Sequence, residues 1–258
     1  MKKISCLSIC AACLGFFALS GVSAQEASPP PTLPVELFIC NFKAGNDFAD
    51  LQRASDAFNK WADAHEITGL TSYLLTPMFH SDELAADVIG MDIWNNGEAM
   101  GNGAASIVAD PSSTAGFDRV LDCGAHQLFV LVGTKPPPDG LIKDGSTFQF
   151  TNCKLMENRS GDEAIRAATA WGEATQRAGI SDAQALLFPA AGESSDADYS
   201  FKWITAGPSI QAFGKSIDQF LSGGLLQTRA NLVRNLMSCD SQRIYATTVM
   251  REGADDQT

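Results

Sequence analysis

The chain predicts an α+β fold: two fused strand–helix–strand–strand–helix–strand (βαββαβ) units packed sheet to sheet about a pseudo-twofold axis. Three observations carry this. The same succession of strand-like and helix-like stretches occurs on either side of a Pro/Gly break, Lys135-Pro-Pro-Pro138-Asp-Gly140. Four cysteines fall at matched places, Cys40 with Cys153 and Cys123 with Cys239, 113 and 116 residues apart. Finally, the first unit's strands are apolar on both faces, so its sheet must be covered twice.

The elements follow in order. Lys2 and Lys3, the almost uncharged run Ile4 to Leu19 and the small residues Val22-Ser23-Ala24 predict a signal peptide over residues 1–24, and hence a periplasmic or secreted protein. A membrane anchor is the alternative, but the run is short for a span. Cys13 sits too early for lipidation, and no later stretch is long and apolar enough to cross a bilayer. Without Lys2 and Lys3, 16 of the 18 basic residues face 30 acidic ones, a net charge of −14. That spread acidity excludes nucleic acid and anionic membrane surfaces as partners.

A Pro-rich lead (25–34) reaches the first unit (35–134). In its opening strand, Val35, Leu37 and Ile39 point one way and Phe38, Cys40 and Phe42 the other. Phe48, Leu51, Ser55, Phe58 and Ala62 share one face of a helix that stops near Gly69. Strands at Thr71 to Phe79 and Asp87 to Trp94 flank a polar turn, His80 to Glu83. A second helix starts at about Asn96, and the strand His126 to Val132 closes the unit.

After a linker (135–146), the second unit (147–252) repeats this. Thr147 to Leu155 is a strand, and Ser160-Gly-Asp-Glu163 is a capping box opening a helix that carries Ile165, Ala168, Trp171 and Thr175 on one face. Ala183 to Pro189 and Tyr199 to Thr205 form the hairpin. Pro208 opens a helix with Ile210, Phe213, Ile217 and Phe220 inward, ended by Gly223-Gly224. A helix over Leu225 to Met237 and a strand over Arg243 to Met250 complete the unit, and residues 253–258 form an acidic tail.

This is the ferredoxin-like order, in which right-handed crossovers place the first strand between the third and the fourth. The end of strand one then lies beside the start of strand four. Of the three connectivities, that topology brings Cys40 to Cys123 and Cys153 to Cys239, and an oxidising compartment favours both disulfides; four free buried thiols are the alternative.

Two ferredoxin-like units so arranged resemble the dimeric α+β barrel superfamily, antibiotic-biosynthesis-monooxygenase-like proteins in which two units close around a shared interior. The resemblance covers most of the chain and rests on topology. It implies a barrel fold, and a range of activities that includes cofactor-independent oxygenases, haem-degrading enzymes and dye peroxidases, so it leaves function open. Haem-degrading members use an Asn, a Trp and a His. Asn41 and Trp94 match two of these, but the helix from Asn96 to Asp110 holds no His.

Other chemistry is sparse. His65 and His80 fall at a helix end and in a turn; His126 opens a strand, with Gln242 as its counterpart. No histidine pair has metal-ligand spacing, so neither metal nor cofactor is expected. Nucleophile elbows, phosphate loops and dinucleotide fingerprints are missing from the sequence. Trp61 and Trp171 read as equivalent helix positions, and Trp94 and Trp203 as equivalent strand ends near the barrel's mouths. In the strand from Thr147, Phe148, Phe150 and Asn152 alternate with Gln149, Thr151 and Cys153. If the polar face turns inward, the space between the sheets is a mixed apolar and polar site. The expected function is therefore an exported module binding a small apolar or aromatic molecule through Asn41, Trp94, His126, Gln149, Asn152 and Trp203. An oxygenase-like barrel enzyme and a structural protein with a filled core are the alternatives.

Overall fold

The computed structural model describes residues 31–81, 86–138 and 142–253. The expected signal peptide, the polar turn at Glu83 and most of the acidic tail lie outside them. In the first half the order is β1 (Thr32–Phe42), α1 (Phe48–Ala64), β2 (Leu70–Phe79), β3 (Val88–Trp94), α2 (Gly97–Ala109), α3 (Ala115–Val120) and β4 (Leu121–Lys135). In the second it is β5 (Thr147–Leu155), α4 (Gly161–Arg177), β6 (Ala183–Ala191), β7 (Phe201–Gly207), α5 (Ile210–Ser222), α6 (Leu225–Val233), β8 (Met237–Cys239) and β9 (Arg243–Arg251).

Local chemistry starts the helices as expected. Asp47 and Ser160 each close a capping box, with Asp50 and Glu163 returning the bond to the cap backbone. Several boundaries move, and the strand expected over His126 to Val132 runs from Leu121 to Lys135. Thr32 to Pro34, expected in the Pro-rich lead, already pair with Val130 to Val132 of β4. The helix expected to run to Met237 stops at Val233, and Met237 to Cys239 form β8 beside the end of β5.

All strand pairs are antiparallel, and β1 lies between β3 and β4, as β5 lies between β7 and β9. Two further pairings, β4 with β6 and β2 with β9, join the halves edge to edge. The ring β7-β6-β4-β1-β3-β2-β9-β5 closes on itself through β5 and β7, leaving β8 as an appendage. Closure satisfies the backbone groups that two separate sheets would leave at four edges. The disulfides Cys40–Cys123 and Cys153–Cys239 link cross-strand neighbours in the two halves.

The barrel interior is a packed apolar core. Val35, Leu37 and Met91 of the first half meet Phe148, Phe150, Leu187 and Tyr245 of the second, with Phe129 fully buried among them. Each such side chain contributes roughly 1.5–3 kcal/mol of transfer free energy. The opposite face of the sheet carries the helices: Phe58, Leu70 and Trp94 pack under those of the first half, and Trp171, Phe201, Trp203 and Met237 under those of the second.

Candidate functional site: a cleft between the second half's sheet and its helices

Strand alternation gives β5 two faces, and tertiary packing decides which is inside. The expectation that Gln149 and Thr151 face the barrel interior is corrected: Phe148 and Phe150 point in, and Gln149 and Thr151 point out toward α4, α5 and α6. The reason is closure. The interior is walled by strands from both halves and filled mainly by apolar side chains, with few polar groups such as Thr247 and Gln127 among them. The polar face of β5 lies instead beneath helices that cover it incompletely.

That incomplete cover forms a cleft with about 230 Å³ of free volume. Its floor is Gln149 and Thr151 of β5, Gln184 of β6, and Trp203 and Thr205 of β7. Trp171 of α4 forms one wall, Arg229 of α6 another, and Phe213, Ile217 and Phe220 of α5 the roof. Helix α5 is amphipathic in sequence, yet none of its residues is buried and Ile217 is 43% exposed. Its apolar face roofs a space it does not fill.

Strand registers set the two halves side by side. Val35 pairs with Ile93 in β1–β3, and Phe148 with Ala206 in β5–β7, so positions 113 apart correspond. By that register Trp94 matches Gly207, and Trp203 matches Gly90. The expected Trp94–Trp203 equivalence is therefore corrected. So is that of the helix tryptophans, since the N-caps Asp47 and Ser160 align Trp171 with Phe58. Trp94 fills its half: its ring lies against Gly103 of α2, where an added Cβ would come within 2.3 Å of it. Gly207, at the matching position, lies against Thr147 and is not among the residues lining the cleft.

The cleft's deep end is polar and paired. Lys135, at the end of β4, is buried against Asp182 in an ion pair and donates to the Ile180 carbonyl at 2.8 Å and to Thr175 Oγ1 at 3.2 Å. Gln184 Nε2 donates to Asp182 Oδ2 at 3.0 Å, while Gln184 Oε1 is buried without a partner in the protein. Arg229 contrasts with this. Its guanidinium lies 6.0 Å from the Trp171 ring and 5.9 Å from the Trp203 ring. Among the described residues no hydrogen bond or ion pair satisfies it, and desolvation alone pulls its pKa below the usual range.

The remaining expected residues are dispersed. Trp94 is buried outside the barrel and donates to Glu36 Oε2 at 2.7 Å; His126, exposed at the surface, meets Glu36 Oε1 at 2.8 Å and stacks on Phe38. His126 faces Phe38 in the β1–β4 ladder, whereas Gln242 precedes β9 and lines the cleft. Asn152 accepts from Lys202 Nζ at 3.2 Å at one end of the barrel, where burial lowers the Lys202 pKa to about 8. Asn41 is exposed at the end of β1, accepting from the Asp87 amide at 3.1 Å. Gln149 and Trp203 alone of the six line the cleft. Arg229 and Gln184 were not singled out from the sequence; the register that pairs Gln184 with Thr205 beside Gln149 is the signal that leads to Gln184.

This geometry can be set against known proteins. A candidate monooxygenase from Fusobacterium nucleatum subsp. nucleatum superposes with a TM-score of 0.52 at 9% identity, over 89% of this chain and 96% of that one. The barrel is theirs in architecture. A cyanide complex of a chlorite dismutase variant from Candidatus Nitrospira defluvii gives 0.51 at 8% identity, over 86% and 92%. A candidate monooxygenase from Lactobacillus acidophilus gives 0.50 at 10% identity, over 86% and 95%. At such identities the likeness is one of fold. No family model matches the chain, and no curated protein does.

Haem-degrading members of the superfamily that the sequence resembles bind a haem, which needs an iron ligand from the protein. Haem iron is held by His, Cys, Met or Tyr. None of these lines the cleft, and all three histidines belong to the first half. The cleft's residues do not fit a haem iron.

Proposed function

We propose that the protein is an exported small-molecule-binding module whose site is the cleft between the second half's sheet and α4–α6. The observation that carries this reading is a roofed space lined by the aromatic Trp171, Trp203 and Phe213 together with buried Gln149, Thr151 and Gln184. Apolar walls with a few placed polar groups are what a ligand site requires; a purely structural helix–sheet interface gains nothing from an unpartnered amide oxygen. At about 230 Å³ the cleft suits a molecule smaller than a typical drug. The names of the fold's relatives, candidate monooxygenases and a cyanide-binding chlorite dismutase, are those of proteins acting on small molecules, which agrees with the reading. Two disulfides support an oxidising compartment.

Native mass spectrometry of protein purified from its own host tests this directly, with co-purified mass the expected result. Trp203→Ala should release that mass and Trp94→Ala should not, because Trp94 is packed under α2 in the other half. Retention of the ligand by Trp203→Ala, or an empty wild type whose tryptophan fluorescence responds to no compound in a metabolite panel, would refute the assignment.

A further inference from the structure

We propose that the cleft takes a small aromatic carboxylate, its carboxylate held by the Arg229 guanidinium and its ring lying against Trp171 and Trp203. This deepens the binding reading and rests on it.

The argument starts from charge. The protein is strongly acidic, with 30 Asp and Glu against 18 Lys and Arg, and its cations would be expected to find carboxylates easily. Arg159, Arg243 and Arg251 each do so. Arg229 does not, although it is the cation that the cleft withdraws from water. The cleft's single acid, Asp182, is already shared between Lys135 and Gln184. The other polar groups of the lining, Gln149, Thr151, Gln184, Thr205, Ser216 and Gln242, are neutral. Asp182 is thus balanced by Lys135, and the cleft carries one uncompensated positive charge.

A desolvated charge without a counterion is costly, and a carboxylate removes that cost by accepting the guanidinium's two parallel N–H bonds. The walls specify the rest. Trp171 and Trp203 flank the guanidinium, so a flat ring attached to the carboxylate would meet indole faces as the carboxylate meets Arg229. Phe213 and Phe220 of α5 offer further apolar surface above, and the free volume suits a single ring with a short substituent.

The experiment uses the full-length protein and three probes near pH 7, titrated by calorimetry: benzoate, its uncharged counterpart benzamide, and acetate, which has no ring. Benzoate should bind the wild type about tenfold or more tighter than benzamide, and acetate far more weakly than either. Arg229→Gln should abolish the preference for benzoate over benzamide, and Arg229→Lys should retain part of it. Without ligand, Arg229→Gln should melt no lower than the wild type, because an unpaired charge has been removed; benzoate should raise the melting temperature of the wild type only. A marked fall in melting temperature with the benzoate preference intact would make Arg229 a stacking residue and overturn the proposal. Equal binding of benzoate and benzamide in both proteins would overturn the carboxylate while leaving the cleft as a site. Failure of all three probes at millimolar concentration would overturn both.

Discussion

Asp92 of β3 offers a test of the first half's packing that needs no ligand. It sits between Ser72 of β2 and Glu36 of β1 in the sheet register, on the face covered by the helices. Burial raises its pKa from the ordinary 3.8 to about 7; a Ser72 hydrogen bond opposes the shift, Glu36 adds to it and His126 opposes it. The folded carboxyl therefore keeps its proton to near neutrality, whereas the unfolded one loses it near 3.8. Across that window the folded state binds more protons, so this group's contribution to stability is fully present at low pH and is lost as pH rises toward 7. A group sealed from water would cost about 4 kcal/mol once ionised. Asp92 is half-buried by exposed area although protein surrounds it closely, and solvent screening reduces the expected figure to about 1–2 kcal/mol. Asp92→Asn keeps the shape and removes the ionisation. In urea titrations at pH 4, 6 and 8 its stability relative to wild type should start near zero and rise to about 1–2 kcal/mol in its favour at pH 8. Repulsion from the acidic surface acts on both proteins and cancels in the difference. A difference that stays flat with pH, or an Asn variant less stable at pH 8, would refute the reasoning.

Three other perturbations are expected to be as specific. Non-reducing peptide maps should recover Cys40 linked to Cys123 and Cys153 to Cys239, and replacing Cys40 and Cys123 together by Ala should cost up to about 4 kcal/mol, the loop entropy of an 83-residue closure, read from urea midpoints. Lys135→Met leaves Asp182 buried without its counter-charge and should lose about 3–5 kcal/mol, most of it recovered when Asp182→Leu is added; a single variant as stable as the double one would show that the pair is not buried in solution. Gly103→Ala drives a methyl group into the Trp94 ring and should destabilise by about 1–3 kcal/mol with a change in tryptophan emission, whereas Gly101→Ala, which meets nothing within 4 Å, should be neutral or mildly stabilising.

Much of the architecture was legible in the sequence because it depends on short-range patterns. Alternation marked β1 and β5, the Ser160–Glu163 box opened α4, and the order of strands and helices paired Cys40 with Cys123 and Cys153 with Cys239. His126 and Gln242 each follow a cysteine by three residues, but only His126 lies within a strand ladder. The tryptophans were matched wrongly because residue type is no guide to register: Trp94 and Trp203 both sit in a third strand, four residues apart from true equivalence. Period-two alternation separates Phe148 and Phe150 from Gln149 and Thr151 without saying which pair is enclosed. That choice belonged to the tertiary structure, since only closure of the ring through β4–β6 and β2–β9 makes the interior so confined that rings fill it. The cleft is likewise a consequence of assembly. Gln149 of the floor, Phe213 of the roof and Arg229, without a counterion among the described residues, are spread over 80 residues of chain, and no local pattern connects them. Folding α5 and α6 over the polar face of β5 brings them together, and the physical reason is that a helix packs by its apolar stripe while the space beneath is set by the side chains of strands it does not touch in sequence.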